Sequence, residues 1–240
     1  MQNAKDVAHN DIGVCIEINF EENGTGGFIE FKHNGKPFSI DNLTFLIEQV
    51  STKERIPKEN VKVKTTGKFG TGFLTTHLLS ERVEVESIVK EPEEPYRKFS
   101  LSLDRSGRSI EDIIASVDSS LTSLENIDSR QAFDQYSPTE ISTIFRYELN
   151  KNGIEVAKKG LRDLSTSLFF TLAFLPEIKS VTIINDGIRY EMSQSIVEVG
   201  EDIKIYTVTL DTTNGKSETK IAVLSKNATC IAAQIEDRNG

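Results

Sequence analysis

Short runs in which apolar and polar residues alternate recur along this chain, and they constrain its fold more than any other feature. In the run IGVCIEINF, every second position is apolar: Val14, Ile16, Ile18 and Phe20. Successive side chains of a strand point to opposite faces of a sheet, so this spacing predicts a strand with one buried face. The Asn-Gly dipeptide at 23–24 then predicts a hairpin turn.

Similar runs continue to the end of the chain. RVEVESIV, YRKFSLSLD and STIFRYEL precede residue 150, and SVTIIN, IRYEMSQ, IKIYTVTL, TKIAVLSK and a candidate fifth run, ATCIAAQIE, follow it. Helical spacing occurs in residues 2–10, in SIDNLTFLIEQV and in IEVAKKGLRDLSTSLFFTLAFL. Residues 105–140 are polar and irregular, with a short helix predicted near 110–117.

These elements predict the fold class and the domain organisation. We expect an α/β fold, a two-layer sandwich of mixed sheet and helices, in residues 1–150. A composition shift at 150–153, Asn-Lys-Asn-Gly, predicts a boundary, and residues 151–240 are expected to begin a second α+β domain with a helix and antiparallel strands.

Composition and charge limit the functional classes. The chain of 240 residues is 37% hydrophobic, carries a net charge of −9 and has no long basic block, which argues against a nucleic-acid surface as its main function. No apolar run approaches the about 18 residues that a membrane span needs, and no signal peptide is recognisable. Cys15 and Cys230 are expected to be buried free thiols, and we therefore expect a cytoplasmic protein without a membrane partner. The histidines and cysteines show no metal-ligand spacing.

The stretch TTGKFGTGF at 65–73 is the strongest functional signal. Gly67, Gly70 and Gly72 fall within it, ahead of a predicted helix that starts near FLTTHLLS. Free N–H groups at the start of a helix carry partial positive charge, and glycines let a phosphate approach the backbone closely. The stretch therefore predicts a phosphate-binding loop, although the glycines alone would equally suit a turn that packs a helix on a strand. The spacing matches neither a P-loop nor G-x-G-x-x-G.

Three further segments extend this pattern. QNAKD lies on the first predicted helix, HNGKPFSIDNL opens the next, and STIFRYEL supplies hydroxyls on a late strand. Together with GKFGTGF, they resemble the ATP-binding domain of the GHKL or Bergerat superfamily, which includes gyrase B, the ninety-kilodalton heat-shock chaperones, sensor histidine kinases and MutL proteins. The resemblance covers about residues 1–150. The region after STIFRYEL resembles the chaperone-like ATPases related to sacsin.

The GHKL resemblance implies ATP and Mg²⁺ as cofactors. Asn3 stands at the position of the magnesium-binding asparagine, with Asp6 one turn further on the same helix. Residues 51–66 stand at the position of the ATP lid. The implied nucleotide-binding residues, besides Asn3 and Asp6, are His33, Gly35, Gly67, Lys68, Phe69, Gly70, Thr71, Gly72, Phe73 and Thr143. Lys68 alternatively suits a solvated lid residue. Lid closure is then expected to drive rearrangement against other domains of a longer chain or a second copy in a homodimer.

Two departures from the GHKL pattern affect the base-binding end. His33 replaces the family's aspartate, which accepts a hydrogen bond from the adenine amino group, and only a neutral imidazole can accept one. Pro37 replaces the last glycine of that box and excludes a positive φ there. These departures leave a second interpretation open, in which the chain is a non-catalytic interaction module that kept the fold and lost nucleotide binding.

The chain is expected to bind ATP without turning it over. The hydrolytic members of the family carry a glutamate one turn before the magnesium asparagine, and four residues before Asn3 falls ahead of Met1, so no catalytic residue is assigned. General-base help is worth about 10²–10⁴ in rate. Phosphate release by the purified chain should therefore stay at background. Steady, magnesium-dependent release that disappears in Asn3→Ala would contradict this expectation.

Overall fold

The computed structural model describes residues 1–48, 77, 79–125, 127, 132–227 and 229–236. The helices in this part of the chain are α1 (Gln2–Asp6), α2 (Ile40–Glu48), α3 (Ile110–Glu125) and α4 (Lys151–Phe174). The strands are β1 (Val14–Asn23), β2 (Gly26–His33), β3 (Arg82–Val89), β4 (Tyr96–Asp104), β5 (Ala132–Phe133), β6 (Thr143–Leu149), β7 (Ile178–Ile183), β8 (Ile188–Met192), β9 (Val197–Val199), β10 (Ile203–Thr212), β11 (Gly215–Lys226) and β12 (Thr229–Ile235).

All the described strands belong to one sheet. The strand order is β12-β11-β10-β8-β7-β1-β2-β6-β3-β4-β5. The short strand β9 is not in this order and pairs with β10. β1 pairs parallel with β7, and the other pairs between these strands are antiparallel. Short turns join β1 to β2, β7 to β8, and each of β9 to β12 to the next, and such turns produce antiparallel pairing. The β1–β7 pair instead needs the long crossover through α4.

The expected α/β class is therefore wrong. Strands account for 45% and helices for 28% of the described residues, and the architecture is a 12-stranded mixed sheet with four helices. The α/β expectation gave too much weight to helical spacing and overlooked that hairpin-linked strands add to one sheet. Strands from both sides of residue 150 lie in this sheet, and the domain division at that residue stays a prediction.

Helices cover one face of the sheet, which we call the helix face. One buried cluster joins α1 and α4 to β1, β7, β8, β10 and β11, and includes Leu168, Leu172 and Val181. A second joins α2, α3 and the first part of α4 to β3, β4 and β6, and includes Leu43 and Val85. None of the described helices is long and apolar enough to cross a membrane.

Strand boundaries agree closely with the alternation in the sequence, and helix boundaries agree less well. β3 and β4 coincide with RVEVESIV and YRKFSLSLD. α1 ends at Asp6 instead of residue 10, because the carbonyl of Val7 accepts a hydrogen bond from the Lys36 N–H at 2.8 Å. Cys15 and Cys230 are free thiols, but Cys230 is exposed, so the expectation that both are buried is wrong.

α3 is longer than the predicted short helix. The Ser109 hydroxyl accepts from the Asp112 N–H at 3.1 Å, and a carboxylate oxygen of Asp112 accepts from the Ser109 N–H at 3.2 Å, which caps the helix start. Further along, the Ser116 and Ser120 hydroxyls donate to carbonyls of β4. Val117, Leu121 and Leu124 continue the helical spacing and pack in the second buried cluster, so the helix extends to Glu125.

Truncating Leu168 should destabilise the protein strongly. Its side chain is fully buried between α4 and the sheet, and deleting a buried leucine to alanine costs about 2–5 kcal/mol. Urea denaturation should show this loss for Leu168→Ala. Val156→Ala on the same helix is the control, because Val156 is 55% exposed and should change the free energy of unfolding by less than about 0.5 kcal/mol. Equal losses in the two variants would contradict the assigned core.

Candidate functional site

The turn His33-Asn34-Gly35 at the end of β2 is fixed by the Asn34 side chain. Asn34 is buried, its Oδ1 accepts from the Cys15 N–H at 2.6 Å, and its Nδ2 donates to the Pro138 carbonyl at 2.7 Å. A buried amide with both ends bonded gives up little of its hydrogen bonding on leaving water. Asn34 thus joins β1, the turn and the segment before β6.

Helix α1 lies directly against this turn. A Cβ added to Gly35 would lie 2.5 Å from Cγ2 of Val7, so only glycine allows the helix and the turn to approach this closely. The Lys36 N–H also donates to the Val7 carbonyl. The structure therefore brings the helix that carries Asn3 and Asp6 next to the residues predicted to bind the base.

Asn3 and Asp6 are the described candidates for a magnesium site. Asn3 is exposed, Asp6 is half-buried, and an Asp6 carboxylate oxygen lies 4.0 Å from the Lys5 Nζ. Residues three apart on a helix share a face, and amide and carboxylate oxygens are the ligands that Mg²⁺ prefers. In the described ranges, no three His, Cys, Asp or Glu side chains converge on a potential metal site.

His33 is buried and neutral. Its Nδ1 accepts from the Gly35 N–H at 3.0 Å, so in the neutral ring the proton is on Nε2. Burial lowers the pKa of His33 from 6.5 to about 4. The ring therefore has no free acceptor nitrogen in this conformation, and Nε2 is available only as a donor.

Thr143 lies opposite His33 on β6 and is fully buried. Its hydroxyl lies 2.7 Å from the Ser87 hydroxyl on β3, inside the sheet's helix face. The next residue back, Ser142, donates its N–H to the His33 carbonyl at 3.1 Å. The structure thus places Thr143 beside the turn, but its hydroxyl is not accessible to a ligand in this conformation.

Tyr136 contacts the same turn, although it belongs to none of the sequence motifs. Its hydroxyl donates to the Gly35 carbonyl at 2.9 Å and lies 3.1 Å from the His9 Nε2. Its ring stacks on Tyr96 at a centroid distance of 5.4 Å, and burial raises the pKa of its phenol. Tyr136 falls in the stretch read as irregular, and no local motif marks a contact with a residue 101 positions away.

A cavity of about 830 Å³ adjoins this region on the face of the sheet opposite the helices. We call that side the open face. The cavity is lined from the sheet and from the segment before β6 by Glu86, Ile88, Lys98, Ser100, Phe133, Tyr136, Glu140, Ser142 and Ile144, among others. The cavity adjoins the turn through Tyr136 and Ser142, whose hydroxyls donate to the Gly35 carbonyl, whereas α1 packs in the first buried cluster on the helix face.

The predicted phosphate-binding loop lies outside the described residues. Its members are Gly67, Lys68, Phe69, Gly70, Thr71, Gly72 and Phe73, and the lid at 51–66 lies outside them as well. In the sequence both fall between the end of α2 and the start of β3. The chain matches no protein-family model and no curated protein sequence.

Stability should fall at acid pH because of His33. An unfolded histidine titrates near 6.5, whereas the folded ring stays neutral down to about 4. The unfolded state therefore binds more protons, and stability that is present above pH 6.5 is lost as the pH falls towards 4. At pH 4.5 the loss from His33 should be about 2–3 kcal/mol.

His33→Asn is the matched variant, because its side-chain oxygen can still accept from the Gly35 N–H but cannot titrate. Urea denaturation at pH 7 and at pH 4.5 should show a smaller loss for this variant than for the wild type. The same loss in both proteins would show that another group causes the acid sensitivity.

Proposed function

We propose that this chain binds ATP with Mg²⁺, with the phosphates on the loop that contains Gly67, Gly70 and Gly72. The observation that carries this proposal is the G-x-x-G-x-G spacing of those glycines, in a chain whose first helix carries Asn3 and packs on the turn at Gly35. Backbone N–H groups at such a loop favour a phosphate, which supports the assignment.

The contact between α1 and the turn supports a shared site. Lys36 and Gly35 meet Val7 within hydrogen-bonding and van der Waals range. Asn3 and Asp6 are four and one residues before Val7, and would hold Mg²⁺ through their oxygens. When bound, Mg²⁺ would neutralise charge on the phosphates. The chain's own residues would then orient the nucleotide, and closure of the lid at 51–66 over it would drive rearrangement in a larger protein.

His33 is expected to contact the base as a hydrogen-bond donor. Nδ1 already accepts from the Gly35 N–H, so the free nitrogen, Nε2, carries a proton. A ring N–H favours an acceptor such as N1 of adenine or O6 of guanine over the adenine amino group. The exchange of the family's aspartate for His33 therefore predicts weaker discrimination between ATP and GTP.

The second candidate function is an interaction module that does not bind nucleotide. Full burial of Thr143 and the occupied acceptor of His33 favour it, since neither the Thr143 hydroxyl nor the His33 Nδ1 can accept a hydrogen bond from a base in this conformation. Pro37, in place of a glycine, adds to this interpretation. The two candidates differ in one measurable property, the affinity for magnesium nucleotides.

Gly70→Val should abolish nucleotide binding and leave the fold intact. A Cβ branch there would block the approach of a phosphate to the backbone. Thermal unfolding should be followed with ATP, ADP and GTP, each with and without Mg²⁺, for the wild type and the variant. We expect nucleotide to raise the melting temperature of the wild type only.

Gly160→Val is the matched control, because Gly160 is exposed on α4 with open space around its Cα. This control should keep the full nucleotide-dependent shift. Equal shifts in Gly70→Val and the wild type would contradict the phosphate-binding loop. No shift with any nucleotide in the wild type would favour the interaction module.

A further inference from the structure

The open face of the sheet is polar in its first half. Asn19, Glu30, Arg146, Glu84 and Ser102 occupy successive paired positions across β1, β2, β6, β3 and β4. The Arg146 guanidinium lies 3.0 Å from the Glu30 carboxylate, and the Ser102 hydroxyl donates to Glu84 at 2.8 Å. This half of the face is therefore suited to contact with water.

At the far end of the open face, beyond the charged positions of β8 and β11 such as Glu191 and Lys220, the surface is apolar. Val199, Ile203, Leu224 and Ile231 form one paired row across β9, β10, β11 and β12, and Ile231 is 61% exposed. A second row lies beside it. We call the two rows the β9–β12 patch: Val197, Val199, Ile203, Ile205, Ala222, Leu224, Ile231 and Ala233. Contiguous apolar surface of this kind marks an interaction site more often than plain solvent contact.

This patch reaches an edge of the sheet with which no other described strand pairs. β12 is the outermost strand on this side, and its sequence, TCIAAQI, contains no charge, no proline and no glycine. Edge strands normally carry such residues, or a cover, that prevent pairing with another chain. At the other side of the sheet, Ser120 and Ser116 of α3 bond the carbonyls of Ser102 and Asp104 on β4. Within the described ranges, α3 thus covers one edge, whereas no strand pairs with the outer side of β12.

The register within the sheet shows which backbone groups of β12 point outward. The Ser225 N–H donates to the Asp202 carbonyl, so odd-numbered residues of β11 point towards β10 and even-numbered ones towards β12. Leu224 pairs with Ile231, which therefore directs its backbone groups inward. By alternation, the outward-directed residues of β12 are Cys230, Ala232 and Gln234.

We propose that β12 pairs antiparallel with β12 of a second copy of this chain, with Ala232 opposite the partner's Ala232. In this register Cys230 lies opposite the partner's Gln234, and all three outward-directed residues meet outward-directed residues, each pair exchanging two backbone hydrogen bonds. A shift by two residues in either direction leaves one of the three unpaired. The contact is two-fold symmetric and therefore closes as a dimer.

The side chains of the open face suit the same register. Ile231 lies opposite the partner's Ala233, which sets a large residue against a small one, and the two β9–β12 patches become continuous across the contact. The strand carries no charge, so pairing with an identical strand brings no like charges together. A second copy therefore matches β12 in backbone register, in side-chain size and in charge.

Ile231→Lys should weaken the dimer at least about tenfold, because the contact would then have to desolvate a charge. Sedimentation velocity across a wide range of protein concentrations, without nucleotide, measures the monomer–dimer equilibrium. Val156→Lys is the control, since Val156 is 55% exposed on α4 and lies outside the patch. A wild type that stays monomeric throughout would overturn the proposal, as would a dimer that Ile231→Lys leaves unchanged.

Cysteine cross-linking tests the register. In a Cys230→Ser background, Ala232→Cys places two thiols opposite each other, within the Cα separation that a disulfide accepts. Thr229→Cys in the same background is the control, because the proposed register separates its two copies by roughly 20 Å. Mild oxidation should give a covalent dimer for Ala232→Cys only. Equal cross-linking of the two variants, or cross-linking of Thr229→Cys alone, would contradict this register.

Discussion

Helix α4 is the element on which the rest of the structure depends, because it packs on both buried clusters of the sheet. Ile154 and Ala157 in its first half belong to the cluster under α2 and α3, and Leu168 and Leu172 belong to the cluster under α1. The Asn150 side chain caps its start by accepting from the Gly153 N–H at 2.9 Å. Because α4 carries the chain from β6 to β7, it also provides the crossover that lets β7 lie parallel to β1 and makes one sheet of the two halves.

The turn after β2 depends on that sheet and in turn positions the candidate site. Asn34 bonds to a strand on one side and to the segment before β6 on the other, while Gly35 lies under α1. Four separate pieces of the chain therefore meet at three consecutive residues. Such a turn is rigid, and a rigid turn next to an exposed Asn3 is a suitable frame for a ligand that approaches from the helix face.

The sequence alone predicted the strands that the alternation of apolar and polar residues indicates. β3 and β4 follow from the strict alternation of apolar and polar residues in RVEVESIV and YRKFSLSLD. The fold class did not follow, since the pairing of β1 with β7 joins segments about 160 residues apart that show no local sign of it. At the site, motif resemblance identified the turn at His33–Gly35, whereas the Tyr136 contact depends on tertiary structure. The tautomer of His33 likewise required the position of the Gly35 N–H.

The two halves of the open face differ in the side chains that their strands place there. In β2, β3 and β6, charged and polar side chains form ion pairs and hydrogen bonds across strands, as in the contact between Arg146 and Glu30. At the end formed by β9 to β12, the same face carries valine, isoleucine, leucine and alanine, whose exposure to water is unfavourable. No strand among the described residues pairs with the outer side of β12, so a monomer would expose this patch beside a strand edge, a combination that proteins usually avoid. The helix face is thus committed to the core and the proposed nucleotide site, and the apolar end of the open face remains available for self-association.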